Sequence, residues 1–147
     1  MNPYFLLLEI KYILPSLVFK IIASLSSGFL AITFSQSALD KITDFKGNKT
    51  YFESQFGKTF LHGMVGMLLR MLIFLEANTA LACIAGNFLA LFKHNVLLMG
   101  YGLISGAITL MCLLLGQRIA KDYAGAASLT GYFIISILGL IGVAACL

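Results

Sequence analysis

The sequence predicts an all-α fold, an integral membrane four-helix bundle with a short interfacial helix in the first loop. Composition is the first observation, because 60% of the 147 residues are hydrophobic and 11% are charged, whereas a soluble domain carries about 25% charged residues. The second observation is a set of four apolar stretches, each close to the ~20 residues that a membrane helix needs. We therefore expect one membrane domain over residues 1–147.

The predicted spans cover residues 14–38, 64–92, 95–116 and 123–147. Each should be helical, because a helix satisfies its own backbone hydrogen bonds in lipid. The sequence lacks the many alternating segments of about ten residues that make a transmembrane barrel. The first span is longer than the apolar core of a signal peptide, so we expect it to be retained.

The residues that flank the spans predict how the helices are joined. Residues 1–16 are apolar but short, and Pro15 should break or begin a helix, so we interpret this stretch as an interfacial lead-in to the first span. Lys93 and His94 leave room only for a tight turn. The second and third spans should therefore be antiparallel neighbours.

The first loop has the pattern of a short amphipathic helix at the membrane surface. Phe52, Phe56 and Phe60 recur every four residues and would share one helical face. The turn-like sequence at residues 46–48 should separate this helix from the first span.

The charge distribution predicts the orientation of the bundle. An even number of spans puts both termini on one side, and the opposite side holds most of the Lys and Arg, namely Lys41, Lys46, Lys49, Lys58, Arg118 and Lys121. Because cytoplasmic loops are enriched in Lys and Arg, we expect loops 40–62 and 117–122 to face the cytoplasm. The basic residues are too scattered to indicate nucleic-acid binding.

Polar and small residues predict which helical faces meet inside the bundle. On the second span, Glu76, Thr79, Cys83 and Asn87 form one stripe, and a polar stripe turns away from lipid. Small residues that allow close helix approach occur on the other spans, namely Ser24, Ser27, Ala31 and Ser35 beside Lys20, then Gly102 and Gly106 before Thr109, and Ala127, Gly131, Gly139 and Gly142. Helix packing alone accounts for nearly all of these small residues.

Glu76 is the candidate functional residue, because it lies about ten residues, or ~15 Å, from the loop-side end of its helix. An ionised carboxylate alone near mid-membrane would be very costly. Glu76 should therefore take up a proton, pair with a cation or hydrogen-bond to a Ser hydroxyl of the first span. Lys20 can approach it from the termini side, whereas Arg70 lies on a different face of the same helix.

Two interpretations of Glu76 stay open. It is either an internal hydrogen-bond clamp, or a group that exchanges protons or binds the polar head of a lipid-soluble ligand such as a quinone. Intramembrane carboxylates are functional candidates by default. The candidate ligand or proton site comprises Glu76, Thr79, Asn87, Lys20 and Arg70.

A second cluster of charges is predicted at the loop edge, where a network would join the ends of the first, third and fourth spans: Asp40, Lys41, Arg118, Lys121 and Asp122. The alternative is that these side chains are separate anchors that snorkel to the interface. His62 and His94 lie on opposite membrane faces and cannot share a metal, and Cys83, Cys112 and Cys146 are expected to be small apolar core residues. We predict no metal site, no intrinsic cofactor and no catalytic group.

Two segments and one residue resemble the DoxX-like family of four-helix membrane proteins. They are GFLAITFSQSALDKITDF (28–45), GQRIAKDYAGAASLTGYF (116–133) and Glu76, which matches a Glu that members tend to carry in the second helix. The first segment is similar to the family's first-helix signature, in which a small-residue segment is followed by a Lys and an apolar-acidic tail. Lys20 departs from the pattern, which would place an Arg there, and Lys replaces the charge of Arg but not its two-pronged geometry.

The resemblance implies an accessory role in the bacterial inner membrane. Relatives include a subunit of thiosulfate:quinone oxidoreductases, and others are thought to partner redox or thiol-handling enzymes. The implied function is a subunit that is not catalytic on its own, associated with a quinone-linked or other membrane oxidoreductase and able to bind quinone. The alternative is a non-redox binding or assembly protein that contacts a lipid or a partner helix. Either way, we expect contact with membrane lipid and assembly into a larger complex or homo-oligomer.

Overall fold

A computed structural model of the chain describes residues 3–93 and 95–147. Within that part, the regular structure consists of five α-helices and one 3-10 turn, with no strands. The helices are α1 (Pro3–Thr43), α2 (Phe45–Gln55), α3 (Val65–Lys93), α4 (Leu97–Ile119) and α5 (Tyr123–Ala144), and the 3-10 turn covers His62–Met64. Met1 and Asn2 of the predicted lead-in, and His94 of the predicted tight turn, lie outside the described residues.

Four of these helices form a bundle. The segments Leu14–Thr43, His62–Lys93, Leu97–Ile119 and Tyr123–Ala144 are each long and apolar enough to cross a membrane. Helix α1 packs against α3 and α5, and α4 packs against the same two helices, so the four close into a ring. The short helix α2 lies against α3 and also contacts α1. The predicted all-α four-helix bundle is confirmed, and the chain is a multi-pass membrane protein.

The first helix is longer than the sequence predicts at both of its ends. It runs without interruption from Pro3 through Pro15 to Thr43, so the expected break or start of a helix at Pro15 is wrong, whereas the interfacial position of the lead-in stays a prediction. Proline removes one helical hydrogen bond, but a membrane helix tolerates this loss when its neighbours and local adjustments satisfy the freed backbone groups. At the other end, the helix continues for five residues beyond the apolar run that ends at Ala38.

The first loop is helical, but its helix begins and ends earlier than predicted. The Asp44 side chain caps α2 by accepting a hydrogen bond from the Gly47 backbone amide at 2.9 Å. The helix therefore starts at Phe45 and passes through residues 46–48, where the sequence predicts a turn. It ends at Gln55, so Phe60 is 79% exposed beyond it and does not share the aromatic face.

Close backbone approach holds the bundle together where glycines face a neighbouring helix. A Cβ added to Gly86 of α3 would lie 2.5 Å from the Met99 backbone of α4, and one added to Gly102 would lie 2.8 Å from Cys83. On α5, Gly142 approaches the α1 backbone at Phe19 in the same way, and Gly139 faces the side chains of Ser26 and Leu103. The predicted roles of Gly102, Gly106, Gly139 and Gly142 are confirmed by their burial.

Two of the predicted small-residue faces differ from the structure. Ala127 and Gly131 of α5 are exposed, because α5 turns its other side toward α1 and α4. On α1, Ser27 and Ala31 are buried, whereas Lys20, Ser24 and Ser35 are only half-buried. The buried face of α1 follows a neighbouring set of positions: Ala23, Ser27, Leu30, Phe34, Ala38 and Lys41.

Candidate functional site

Glu76 is completely buried on α3 and faces the loop-side end of α1. Its Oε1 atom lies 3.0 Å from Nζ of Lys41 and accepts a hydrogen bond from Oγ of Ser37 at 2.9 Å. Ser37 and Lys41 are four residues apart, so one face of α1 presents a hydroxyl and an ammonium group to the same carboxylate oxygen. The result is a buried ion pair across the α1–α3 interface.

The ammonium group of Lys41 has three acceptors. Besides Glu76, it donates to Oγ of Ser37 at 2.6 Å and to the backbone carbonyl of Ser37 at 3.2 Å. An ammonium group has three N–H bonds, so these contacts use its full donor capacity. The side chain reaches back along α1 toward the preceding turn, which is the usual direction of side chains on a helix. Lys41 is therefore an interior residue with only 9% exposure.

The second carboxylate oxygen of Glu76 is different, because Oε2 is buried and has no hydrogen-bond partner among the described residues. A buried acceptor without a partner loses its hydration and gains nothing in return. This oxygen could accept a proton or a hydrogen bond from a small polar group. The site thus brings together an ammonium group and a hydroxyl group from one turn of α1 and, from α3, a carboxylate oxygen without a hydrogen-bond partner.

The contacts of Glu76 fix its level relative to the end of α1. Ser37, which contacts it, is six residues or about 9 Å inside the end of α1 at Thr43. Arg70 is exposed and precedes Glu76 by six residues, again about 9 Å along the helix axis. Arg70 is therefore level with the end of α1, and Glu76 lies about 9 Å below that level. Along its own helix, Glu76 is 11 residues or about 16 Å from the start of α3 at Val65, close to the predicted distance, and its mid-membrane depth stays a prediction.

The cation that meets Glu76 is also not the predicted one. Lys20 is 21 residues before Lys41 on the same continuous helix, which puts the two about 30 Å apart. Lys20 thus belongs to the opposite end of the bundle, and its expected approach to Glu76 is wrong. The Lys41 position was missed because the apolar run ends at Ala38, which placed Lys41 in a loop. Its helical spacing from Phe34 and Ser37 is the sequence signal that could have identified it.

A second polar cluster joins α3 to α4 about one turn deeper than Glu76. The hydroxyls of Thr79 and Ser105 are 2.9 Å apart, and Thr109 donates to the Ser105 backbone carbonyl at 2.8 Å. Asn78 extends the cluster outward, since its amide donates to Ser105 at 3.0 Å and to the Tyr101 hydroxyl at 3.1 Å. The sequence predicts that Thr79 faces the interior and singles out Thr109, but it does not single out Ser105 as a partner of Thr79.

Asn87 belongs to a third cluster, near the other end of the bundle. Its amide donates to Oγ of Ser27 at 2.9 Å and to the Cys83 carbonyl at 3.0 Å. Asn87 therefore ties α3 to α1, but it is 11 residues or about 16 Å from Glu76. The five predicted site residues do not form one site: Thr79 is the nearest to Glu76, and Lys20, Arg70 and Asn87 are each elsewhere.

The predicted interfacial charge network does not form. Within the described chain, no ion pair joins any two of its members: Asp40, Lys41, Arg118, Lys121 and Asp122. Lys41 turns inward to Glu76, and Asp122 caps α5 by accepting from the Gly125 amide at 2.9 Å. Arg118 lies over the ring of Tyr123, 5.0 Å from its centroid. These residues serve separate local contacts, because α1 presents its polar end to α3 instead of to α4 and α5.

Metal-ligating side chains do not cluster. Among the described residues, no group of three or more His, Cys, Asp or Glu could hold a metal ion. His62 is exposed, and His94 lies outside the described residues. Cys83 is a core residue as predicted, whereas Cys112 is exposed and Cys146 is half-buried, so the core interpretation is wrong for Cys112.

Comparisons with protein-family models, with curated proteins and with solved structures find no match to this chain. The chemistry of the candidate site therefore has to come from its own residues. The group best suited to receive a ligand or a proton is the Lys41–Glu76 pair, because it is the only one of the three interior clusters described here that combines opposite charges with a vacant acceptor.

Proposed function

We propose that this chain is an accessory membrane subunit of the DoxX-like type, which works beside a quinone-linked or other membrane oxidoreductase. In this role the Lys41–Glu76 pair is its polar centre and receives either a proton or the headgroup of a quinone. The chain is not catalytic on its own, since electron transfer needs a carrier and any such carrier would come from a partner or a bound quinone.

The observation that carries the proposal is the vacant Oε2 atom of Glu76 beside the Lys41 ammonium and the Ser37 hydroxyl. A quinone carbonyl accepts hydrogen bonds, and the Lys41 ammonium can donate one if it gives up one of its two bonds to Ser37. A quinol hydroxyl donates one, which Oε2 can accept. Because Glu76 is fully enclosed, a headgroup reaches it only if surrounding side chains move aside.

The position of Lys41 adds support for the DoxX-like type. The segment that resembles the family's first-helix signature, residues 28–45, contains both Ser37 and Lys41. Glu76 is the residue that matches the family's second-helix Glu. Two of the three features that carry the resemblance, residues 28–45 and Glu76, thus lie in direct contact, as expected for parts of one site.

We further propose that the subunit resides in a bacterial inner membrane with loops 40–62 and 117–122 in the cytoplasm. The support is the number of Lys and Arg in those loops. Single Cys residues placed at Ser54 and at Asn95, in a background with Cys83, Cys112 and Cys146 replaced by Ala, test the orientation. A membrane-impermeant maleimide added to intact cells should label Asn95→Cys and spare Ser54→Cys.

A second candidate function is a non-redox assembly protein that binds a partner helix. The observation that favours it is the Asn78–Tyr101–Ser105 cluster, which extends from the α3–α4 interface to the outer surface. Tyr101 is 51% exposed there. Polar side chains at a lipid-facing surface can hydrogen-bond to another membrane helix.

Quinone binding by the purified protein tests the leading proposal. The protein is reconstituted in nanodiscs and titrated with a short-chain ubiquinone and a short-chain menaquinone analogue. Glu76→Gln should weaken binding by roughly tenfold or more, the loss expected for one hydrogen bond to a charged group. The matched control is Glu53→Gln, which changes a half-buried carboxylate on α2, outside the Lys41–Glu76 site, and should leave quinone affinity unchanged.

Folding must be measured on the same samples, by the detergent-unfolding midpoint of each variant. Weakened quinone binding by a Glu76→Gln protein that remains folded supports the proposal. Equal quinone binding by Glu76→Gln and the native protein, combined with unfolding of Glu76→Leu, would show that the pair only clamps the helices. Purification from native membranes with an oxidoreductase attached separates the redox role from the assembly role.

A further inference from the structure

A cleft of about 430 Å³ opens between α2 and the start of α3, outside the Lys41–Glu76 site. Three basic side chains line it: Lys49 from α2, His62 from the 3-10 turn and Arg70 from α3. Gly63 and Gly66 form part of its wall, and a Cβ added to Gly63 would meet nothing within 4 Å. The cleft is therefore built from three separate elements that the fold brings together.

The charge of the cleft is positive. Its only acidic lining residue is Glu53, which lies 3.4 Å from Lys49 on the same helix and balances that charge. Arg70 is exposed and makes no ion pair with any residue in the described part of the chain. A guanidinium group presents a planar set of N–H donors that matches a phosphate group. The cleft thus fits an anion better than a cation or a neutral molecule.

An apolar groove adjoins the cleft. It is lined by Ile42, Phe45, Arg70 and Ile73 and has a volume of about 420 Å³. Phe45 and Arg70 line both spaces, so the two share a wall. The cleft is lined by basic side chains and the groove mainly by apolar ones, and Arg70 lies at the boundary between the two. This order is that of a phospholipid, which has an anionic phosphate next to acyl chains.

The positions of the cleft and the groove along the bundle axis agree with the order of phosphate and acyl chain in a phospholipid. Arg70 is level with the end of α1, and α2 begins two residues after α1 ends. The cleft lies on the loop side of this level with α2, whereas Ile73 follows Arg70 by about one turn toward the centre of the bundle. A phosphate in the cleft would therefore lie at headgroup depth, with its acyl chain running along α3 into the hydrocarbon.

We propose that this corner of the bundle is a binding site for an anionic phospholipid. The phosphate lies between Arg70 and Lys49, and an acyl chain covers Ile42 and Ile73. Basic residues at a membrane surface attract anionic lipids, but here the shaped cleft and the adjoining groove select one lipid at one place. The site is independent of the Lys41–Glu76 pair and of any role in electron transfer.

Native mass spectrometry of the full chain tests the proposal. The protein is released from nanodiscs that contain phosphatidylcholine with increasing phosphatidylglycerol, and the fraction with one retained phosphatidylglycerol is measured. Arg70→Gln should lower the apparent affinity for phosphatidylglycerol by roughly tenfold, the value of a charge-assisted hydrogen bond. Arg118→Gln is the matched control, since Arg118 is also a loop-side arginine but lies over Tyr123, away from the cleft.

Two further arms identify the source of the phosphate. Inorganic phosphate and glycerol 3-phosphate, each added at millimolar concentration, should not displace phosphatidylglycerol, because neither has an acyl chain for the groove. Displacement by either one would show a site for a water-soluble phosphate and overturn the lipid assignment. Equal losses in Arg70→Gln and Arg118→Gln would show general surface attraction and no specific site, as would equal retention of phosphatidylcholine and phosphatidylglycerol by the native protein.

Discussion

Lys41 and Glu76 form a 3.0 Å ion pair that joins the last turn of α1 to the fourth turn of α3. Among the described residues, no other ion pair lies in the interior of the bundle. Removing both charges from water is costly, and their attraction offsets that cost only with good geometry and additional hydrogen bonds. Here Ser37 supplies such a bond to each partner.

Breaking the pair should destabilise the bundle more than removing it altogether. Lys41→Met leaves the Glu76 carboxylate buried without its cation, and we expect a loss of about 3–5 kcal/mol in the free energy of unfolding. The double variant Lys41→Met/Glu76→Leu replaces both charges by apolar side chains of similar size and should recover most of that loss. Unfolding in mixed detergent micelles, followed by circular dichroism, measures all three proteins.

The converse single variant, Glu76→Leu, should cost less than Lys41→Met. Lys41 is two residues from the end of α1, and its long side chain can turn toward the loop side. Glu76 has no such escape, because it is three turns into α3 and completely buried. If the double variant proves as unstable as Lys41→Met alone, the ion pair is not what couples these helices.

The number of spans could be predicted from the sequence, whereas the partner of Glu76 could not. Apolar stretches of about 20 residues permit few alternatives in lipid, and burial of a polar stripe follows from the same physics. The choice of Lys41 over Lys20 depends on the register of α1 against α3. That register follows from the continuation of α1 past Ala38 and from the packing of α2 on the start of α3. Neither feature can be recognised from the hydropathy of the sequence.

The Asp44 cap should control the order of α2. Asp44→Ala removes the acceptor for the Gly47 amide, and loss of an N-cap costs about 1 kcal/mol. Because α2 has 11 residues and none of them is buried, that loss should fray its first turn. Hydrogen exchange of residues 45–50 should rise in Asp44→Ala and stay near the native rate in Asp44→Asn, which keeps a capping oxygen. Unchanged protection in both variants would mean that contacts with α3 alone order the helix.

The hydroxyl cluster between α3 and α4 should contribute a modest amount of stability. Thr79→Val keeps the shape of the side chain but removes the 2.9 Å hydrogen bond to Ser105. Interhelical hydrogen bonds in membrane proteins average about 0.6 kcal/mol with a maximum near 1.7, so we expect a loss within that range. Thr130→Val is the matched control on the exposed face of α5 and should unfold at the native detergent fraction. A Thr79→Val protein that matches this control would show that the cluster adds specificity without measurable stability.

Alanine substitution should destabilise the bundle at Gly86 but not at Gly28. A Cβ at Gly86 would lie 2.5 Å from the Met99 backbone, and backbone cannot move aside as a flexible side chain can, so α3 and α4 must separate. Overpacking of this kind costs about 1–3 kcal/mol. A Cβ at Gly28 meets nothing within 4 Å, and alanine is favoured over glycine in a helix by about 1 kcal/mol. Gly86→Ala should therefore lower the unfolding midpoint in detergent while Gly28→Ala leaves it equal or higher, and a Gly86→Ala protein of native stability would contradict the close α3–α4 contact.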